Sequence, residues 1–493
     1  MNDLLWRAGR RRGRSHRRGP GNGRPTVLIV GGGFAGFHCA RELERRLPPE
    51  AAEIVLVSPA DYLLYSPLLP NVASGVCEPR HVAVALHSAL RRTRVFIGHV
   101  MAVDLAARTA TVRQPDGSTR QLGWARLVLA PGGVTRTFNL PGVAEHAHGL
   151  KTLAEATYLR DHVLRQLDRA DTNDDPGHWH ACCTFVVVGA GYAGTETAAQ
   201  MQLFTRRALE RYLRLEPGDI RWVLIEQSKR VLPELDPRLG EGALAVLRRR
   251  GVEVRLATGV EEVAPGRVVL SDGEVIETGT LIWCTGVTPN PLVEALGLPA
   301  ERGRLVVDAQ LRVPGADGVF ALGDAAAVPD LTRPGRPTGQ TAQHAERQGR
   351  TAARNVAASL GHGTARPYRH HDLGLAVDLG GWDAVAKPFG IRLSGLPGVL
   401  ATRGYHLLAL PSMAGRARVG FDWLLEAVSP PQVVQLGFLP ADRATIAGAE
   451  PLTLDPAVAS AAWAEAAADV PTTALIATDR GLPEPATPSV RRR

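Results

Sequence analysis

A chain of 493 residues, 45% of them apolar, is longer than one hydrophobic core usually serves, so two or more domains are expected. No apolar run reaches the ~18 to 20 residues that cross a bilayer, which excludes a spanning helix but not attachment to a membrane surface. The net charge of +8 sits at the tips: residues 1 to 24 carry eight arginines against Asp3, and Arg491, Arg492 and Arg493 close the chain. The body between is nearly neutral, so no nucleic-acid partner is expected.

In chain order, the arginine-rich stretch up to residue 24 has no apolar face and reads as a disordered tail, or as a tether to anionic lipid. Thr26 to Val30 reads as a buried parallel strand, Gly36 to Leu47 as a helix stopped by Pro48 and Pro49, and Ile54 to Val57 as a second strand. Residues 95 to 130 carry hairpin character with a turn at Asp116 and Gly117. The strand, turn, helix, strand unit then returns: Phe185 to Val188, a helix from about Ala193 to Leu213, and Trp222 to Ile225. Arg255 to Gly279 repeats the hairpin pattern, turning at Asp272 and Gly273. Tyr368 to Leu439 shows no clear α/β alternation, and beyond Pro440 the Ala-, Pro- and Thr-rich end, with one helical stretch at residues 456 to 468, reads as a loosely attached extension.

Gly31, Gly33 and Gly36 form G-x-G-x-x-G between strand and helix, and Gly189, Gly191 and Gly194 repeat it. In each, the first glycine makes the turn, the second admits a diphosphate and the third lets helix meet strand, while free N–H groups at the helix start attract the anion. One copy is a weak signal; two in matching context imply two dinucleotides. Glu226, ending the second unit's second strand, is placed to accept from ribose hydroxyls and to repel a 2′-phosphate, favouring NADH over NADPH. The equivalent residue of the first unit is Ser58, which can bond a ribose hydroxyl without charge assistance. Gly323 and Asp324 follow a short strand, where the aspartate can reach a flavin ribityl chain.

These motifs, with Leu127-Val128-Leu129-Ala130-Pro131-Gly132 and Thr285-Gly286, resemble the two-dinucleotide-binding flavoproteins of the pyridine nucleotide-disulfide oxidoreductase type. Tyr65-Ser66-Pro67-Leu68-Leu69, Gly191-Tyr192-Ala193-Gly194-Thr195-Glu196 and Thr341-Ala342-Gln343-His344-Ala345 narrow the resemblance to the type II NADH:quinone oxidoreductases, over about residues 25 to 439. The resemblance implies an α/β fold of two Rossmann-like, three-layer ββα domains, the NAD domain inserted into the FAD domain, followed by a C-terminal membrane-docking or dimerisation region. The expected boundaries are a basic tail at 1–24, FAD-binding segments at 25–150 and 299–366, the NAD(H)-binding domain at 151–298, the membrane or interface region at 367–440, and a flexible tail at 441–493.

The resemblance also implies an FAD site from Gly31, Gly33, Phe34, Ala35, Gly36, Ser58, Ala130, Gly132, Gly323, Asp324, Thr341, Ala342 and Gln343. An NADH site follows from Gly189, Gly191, Tyr192, Ala193, Gly194, Glu196, Glu226, Thr285 and Gly286. Hydride passes from NADH to FAD, and a quinone, either menaquinone or ubiquinone, is reduced past Tyr65, Pro67 and Gln343. A helix starting at Thr341 would aim its dipole at the flavin pyrimidine. Glu196 is assigned to nicotinamide positioning or proton supply, but Gln200 stands where the family often has a second acid, which speaks against a two-carboxylate relay. No metal is expected.

The five cysteines, Cys39, Cys77, Cys182, Cys183 and Cys284, include no redox-active pair, which disfavours a disulfide reductase or a sulfide:quinone oxidoreductase and suggests reduced thiols inside a cell. A peripheral enzyme on the cytoplasmic face of the membrane, as a monomer or homodimer, is expected. The alternatives are a ferredoxin or rubredoxin reductase, and a slow NADH-sensing flavoprotein acting through a partner.

Overall fold

The computed structural model describes residues 23–370, 374–429 and 432–449. β1 (Thr26–Val30) enters α1 (Phe34–Arg46) through the first glycine turn, and β2 (Glu53–Ser58) and β3 (Arg94–Ile97) follow. A three-stranded antiparallel meander, β4 (His99–Asp104), β5 (Thr109–Arg113) and β6 (Thr119–Gly123), is inserted before β7 (Arg126–Leu129). The expected turn at Asp116 and Gly117 joins β5 to β6. Helix α2 (Leu153–Thr172), opened by a Thr152–Glu155 capping box, leads out of this unit.

The second unit repeats the plan: β8 (Thr184–Val188), α3 (Tyr192–Ala208), β9 (Arg221–Glu226), α4 (Pro237–Arg249) and β10 (Val252–Leu256). A second antiparallel meander, β11 (Val260–Ala264), β12 (Arg267–Leu270) and β13 (Val275–Glu277), precedes β14 (Thr280–Trp283). Every residue of β8 is buried, as a strand covered on both faces requires. The sheet runs β10-β9-β8-β14, all parallel.

β15 (Val319–Ala321) then returns to the first sheet and pairs in parallel with β7, Val319 opposite Leu127 and Ala321 opposite Leu129. That gives the order β15-β7-β1-β2-β3, so the second sheet is an insertion into the first. Helix α5 (Ala342–Ser359) packs on α1 at very short range. A Cβ on Gly349 would stand 2.3 Å from the Ala35 carbonyl oxygen, so only glycine permits this contact.

The stretch after residue 368, which lacks clear alternation in sequence, folds as antiparallel strands β16 (Ala376–Asp378), β17 (Ala384–Ala386) and β18 (Leu393–Ser394) and two helices, α6 (Gly395–Ala409) and α7 (Met413–Val428). Val377, Leu379, Val385, Val419 and Trp423 join the core of the second unit. α6 and α7 nonetheless leave Leu396, Leu400, Leu408, Met413, Phe421, Leu424 and Val428 exposed.

Two sequence expectations need correction. α3 ends at Ala208 rather than near Leu213, with a short 3-10 turn following. Residues 441–449 are also not a loose extension: Ala444, Ile446 and Ala449 are buried, and Ile446 N–H donates to the Ala147 carbonyl at 3.0 Å. Ile446 joins the apolar cluster of Val143, Val223 and Trp283, and His148 Nδ1 pairs with the Ala444 carbonyl at 2.8 Å, so burial and hydrogen bonds together hold the segment down. The basic tail and the helical stretch at 456–468 lie outside the described residues.

Candidate active site

The two glycine turns are built alike. Gly31 has φ +104° and Gly189 φ +96°, conformations that side chains with a Cβ rarely adopt. A Cβ on Gly36 would lie 1.9 Å from the Gly31 carbonyl oxygen, and one on Gly194 would lie 1.8 Å from that of Gly189. The middle glycines differ: a Cβ on Gly33 or Gly191 would meet nothing within 4 Å. The outer glycines therefore serve the fold, while the middle ones face open space at a helix N-terminus, where backbone N–H groups attract a diphosphate.

A cavity of about 1170 Å³ runs from the first turn between the two units. Gly31, Gly33, Phe34, Ala35, Ser58, Ala130, Gly132, Gly323, Asp324, Thr341, Ala342 and Gln343 all line it. Gly36, the remaining residue of the expected FAD set, is the buried packing glycine behind the turn. The Thr341 hydroxyl caps α5, accepting from His344 N–H at 3.3 Å, so the positive end of that helix opens into the cavity. Asp324 is half-buried in the cavity lining, and desolvation raises its carboxyl above the usual range, partly offset by Lys151 and Arg304. Gln348 holds the adjoining turn by accepting from Gly323 N–H at 2.7 Å.

Of the expected NADH residues, Tyr192, Ala193 and Glu196 reach this cavity. Gly189, Gly191, Gly194, Glu226, Thr285 and Gly286 lie along the ends of the second sheet instead. The Glu226 carboxylate spans that turn, accepting from Ala190 N–H at 2.6 Å and Ser228 N–H at 2.7 Å. Each oxygen retains a lone pair for a ribose hydroxyl. Thr285 Oγ1 donates to the Arg136 carbonyl at 2.8 Å, which ties this edge of the second unit to the first.

Glu196 is buried in the cavity wall, and its Oε1 accepts from Asp378 N–H at 2.8 Å. Burial pushes its carboxyl well above the ordinary range; the Asp378 N–H lowers it and the Asp378 charge raises it. Gln200, one turn further along α3, donates to the Asp378 carbonyl at 2.9 Å and accepts from Asn71 at 3.1 Å. Gln200 thus offers no acid, as expected, but β16 brings a second carboxyl to the same place. The sequence expectation missed it because Asp378 is far along the chain and belongs to no motif.

The sequence profile of the pyridine nucleotide-disulphide oxidoreductase family matches residues 25–349. The chain is 33% identical over 412 residues to the demethylphylloquinone reductase NdbB of Synechocystis, covering 81% of this chain and 96% of that one. It is 30% identical to the type II NADH:quinone oxidoreductase Ndh of Mycobacterium tuberculosis, covering 82% and 89%. The chain belongs to the type II NADH:quinone oxidoreductases. The solved structure of NDH2 from Plasmodium falciparum in complex with NADH has the same fold, with a TM-score of 0.77 at 18% identity over 83% of this chain and all of that one.

Pro67 and Gln343 line the cavity together with Tyr405 and His406 of α6, two residues that sequence reading did not single out. Tyr65 corrects an expectation. Its ring is buried behind this wall, 5.8 Å from Phe34, and its hydroxyl pairs with His406 Nδ1 at 3.0 Å. Tyr65 stands just before a 3-10 turn, Ser66–Leu68, which leaves Ser66 and Pro67 on the cavity and Tyr65 inward, a facing that the motif alone does not reveal. Burial lowers His406 to about 4, so its ring is neutral at pH 7 and Tyr65 fixes its orientation.

The five cysteines are free, and none lines the cavity, which removes the chemistry of the family's disulfide-reducing branches. No group of three or more His, Cys, Asp or Glu side chains able to hold a metal occurs among the described residues.

Proposed function

We propose that FAD lies along the cavity from the first glycine turn to the N-terminus of α5, and that NADH lies on the second turn with its nicotinamide against Tyr192, Ala193 and Glu196. The enzyme oxidises NADH and passes the electrons to quinone. The observation that carries this placement is a single cavity lined by the first glycine turn, by the start of α3 and by the start of α5. The residues fit a flavin dinucleotide: an open diphosphate cradle at Gly33, a cavity-facing Asp324 for ribityl hydroxyls, and a helix dipole for negative charge on the ring. When bound, FAD supplies reversible acceptance of a hydride and its release as electrons.

The chain's own contribution is positioning and electrostatics. Glu226 holds the adenosine ribose of NADH, Glu196 orients the nicotinamide end and supplies a proton, and the start of α5 stabilises anionic charge. Pro67, Gln343, Tyr405 and His406 receive the quinone ring. The exposed apolar side chains of α6 and α7 rest on the membrane, on the cytoplasmic face where NADH is supplied, and admit the quinone from the lipid.

Gly33→Val and Gly191→Val test the placement, because a Cβ at either position meets no protein atom within 4 Å. Purified Gly33→Val should be colourless and remain so with added FAD. Gly191→Val should be yellow but show a KM for NADH raised tenfold or more, with unchanged reoxidation by quinone. A yellow, active Gly33→Val enzyme would overturn it.

A further inference from the structure

A second cavity, of about 180 Å³, lies where the end of α6 and the start of α7 meet α1 and α5. It shares no lining residue with the large cavity. Arg41 and Arg45 of α1, Arg350 of α5 and Arg416 of α7 bring four guanidinium groups to it, against the two carboxylates of Glu42 and Glu346. Helical spacing explains the gathering: His38, Arg41, Glu42 and Arg45 follow the three- and four-residue steps of one face of α1, as Glu346 and Arg350 do on α5.

The acids are already engaged. Glu42 is held by Arg46 at 2.7 Å and by Arg45 at 3.5 Å, and Glu346 pairs with Arg350 at 2.5 Å. Arg416 folds back on the end of α6, donating from Nε to the Leu410 carbonyl and from Nη2 to the Leu408 carbonyl, both at 2.7 Å. Arg41 is left over: it makes no ion pair among the described residues, and its Nη1 reaches the Pro411 carbonyl only at 3.5 Å, the edge of hydrogen-bonding range. Burial first, then Arg45, Arg350 and Arg416, lower its pKa, and Glu346 offsets them in part. His38 lines the same cavity at 4% exposure. Burial, then Arg350, Arg41 and Arg45, bring it down to about 3, so its ring is neutral. Its Nδ1 stands 4.0 Å from Glu346, and its buried Nε2 has no hydrogen-bond partner, an arrangement that native interiors seldom leave unexplained. A surface laced for stability alone would balance its charges; this hollow carries an excess of two positive ones. Its rim belongs to the outward apolar face: Leu408 and Met413 are each 75% exposed, and Arg416 Nη1 lies 3.6 Å from the Met413 sulfur.

We propose that this cavity takes the phosphodiester headgroup of an anionic membrane lipid, held by Arg41, Arg45 and Arg350, with the acyl chains leaving along Leu408 and Met413. The proposal rests on the reading of α6 and α7 as the side that meets the membrane. Chemistry selects the ligand. Guanidinium forks match phosphate oxygens and give charge-assisted hydrogen bonds, and the adjoining apolar side chains favour a lipid over free phosphate. A choline group would carry its own cation in among the arginines, so a phosphoglycerol headgroup is accepted and phosphocholine refused. A bound headgroup pins α1 and α5, the helices that start at the flavin end of the large cavity, to the bilayer together with the C-terminal helices.

Calorimetric titration of the full-length holoenzyme with dihexanoyl phosphatidylglycerol, kept below its micelle concentration, reads the site without a bilayer. Arg41→Gln combined with Arg350→Gln should weaken binding about tenfold or more, while thermal unfolding and NADH oxidation by a soluble quinone stay at wild-type values. The double variant keeps the basic N-terminal tail, so the loss belongs to the cavity. Glu42→Gln removes an opposing charge and frees Arg45, and should tighten binding roughly threefold, a gain that a merely structural role for the cluster does not give. Dihexanoyl phosphatidylcholine and inorganic phosphate should each bind about tenfold more weakly than the phosphatidylglycerol. Absent binding in the wild type, or equal binding by the wild type and a stably folded double variant, would overturn the site. Inorganic phosphate binding as tightly as the lipid would overturn its assignment to a membrane lipid. The protein carrying Leu400→Ser, Phe421→Ser and Leu424→Ser should bind the monomeric lipid as the wild type does, so failure of the membrane reading of α6 and α7 shows in vesicle sedimentation and leaves this titration unchanged.

Discussion

Glu226 shows how far a single residue can be read before its surroundings are known. Its place at the end of β9 follows from a strand pattern and a glycine fingerprint, but the bonds that aim it, from Ala190 and Ser228 N–H, arise only when the loop folds over the strand. Held this way, the carboxylate should decide between the two nicotinamide dinucleotides. A charge-assisted hydrogen bond contributes about 1.5–3 kcal/mol, so Glu226→Gln should cost NADH roughly tenfold in kcat/KM. NADPH, relieved of repulsion, should gain, and an unchanged preference in steady-state assays with both nucleotides would refute the role. Tyr65 and Asp378 mark the opposite limit. Facing at the entry to a 3-10 turn and proximity across β16 and α3 are tertiary facts, invisible to local spacing.

Among the elements, the strand, turn, helix, strand units were legible because their periods and glycines agree, and so were the meanders with their Asp-Gly turns. The strands and helices after residue 368 were not, because α6 and α7 keep apolar residues on the outside as well as the inside and so blur the amphipathic period. The α1–α5 contact was equally hidden, since nothing in the sequence announces why Gly349 is glycine. Its role makes a clear expectation. Gly349→Val must push α5 away from the Ala35 carbonyl, a strain of about 1–3 kcal/mol. Thermal unfolding should shift down by several degrees, and flavin should be lost more readily on dilution, because α1 and α5 each start at the cavity. A variant with unaltered melting and flavin retention would show that the helices can separate without cost.

At the scale of the whole molecule, the sequence correctly separates charged tips from a neutral body, but the outward apolar face of α6 and α7 becomes visible only in three dimensions. Leu400, Phe421 and Leu424 are each more than half exposed, and none of the described helices is long and apolar enough to cross a membrane. The combined substitution Leu400→Ser, Phe421→Ser and Leu424→Ser should abolish co-sedimentation with anionic phospholipid vesicles while leaving NADH oxidation by a soluble quinone intact. Retained vesicle binding by a protein that has changed from dimer to monomer would assign the face to self-association instead.

The late return of β15 to the first sheet bears on how the protein is made. Until Val319 to Ala321 emerge, β7 offers an unpaired edge, and the start of α5 that completes the flavin end of the cavity is not yet synthesised. A ribosome-bound chain can form the parallel sheet of its insertion while the flanking module is still half built, although Val377 to Trp423 complete the core of that insertion only later. Capture of the yellow cofactor thus belongs to the closing stage of synthesis, and truncated products ending before that strand should be pale and prone to clump.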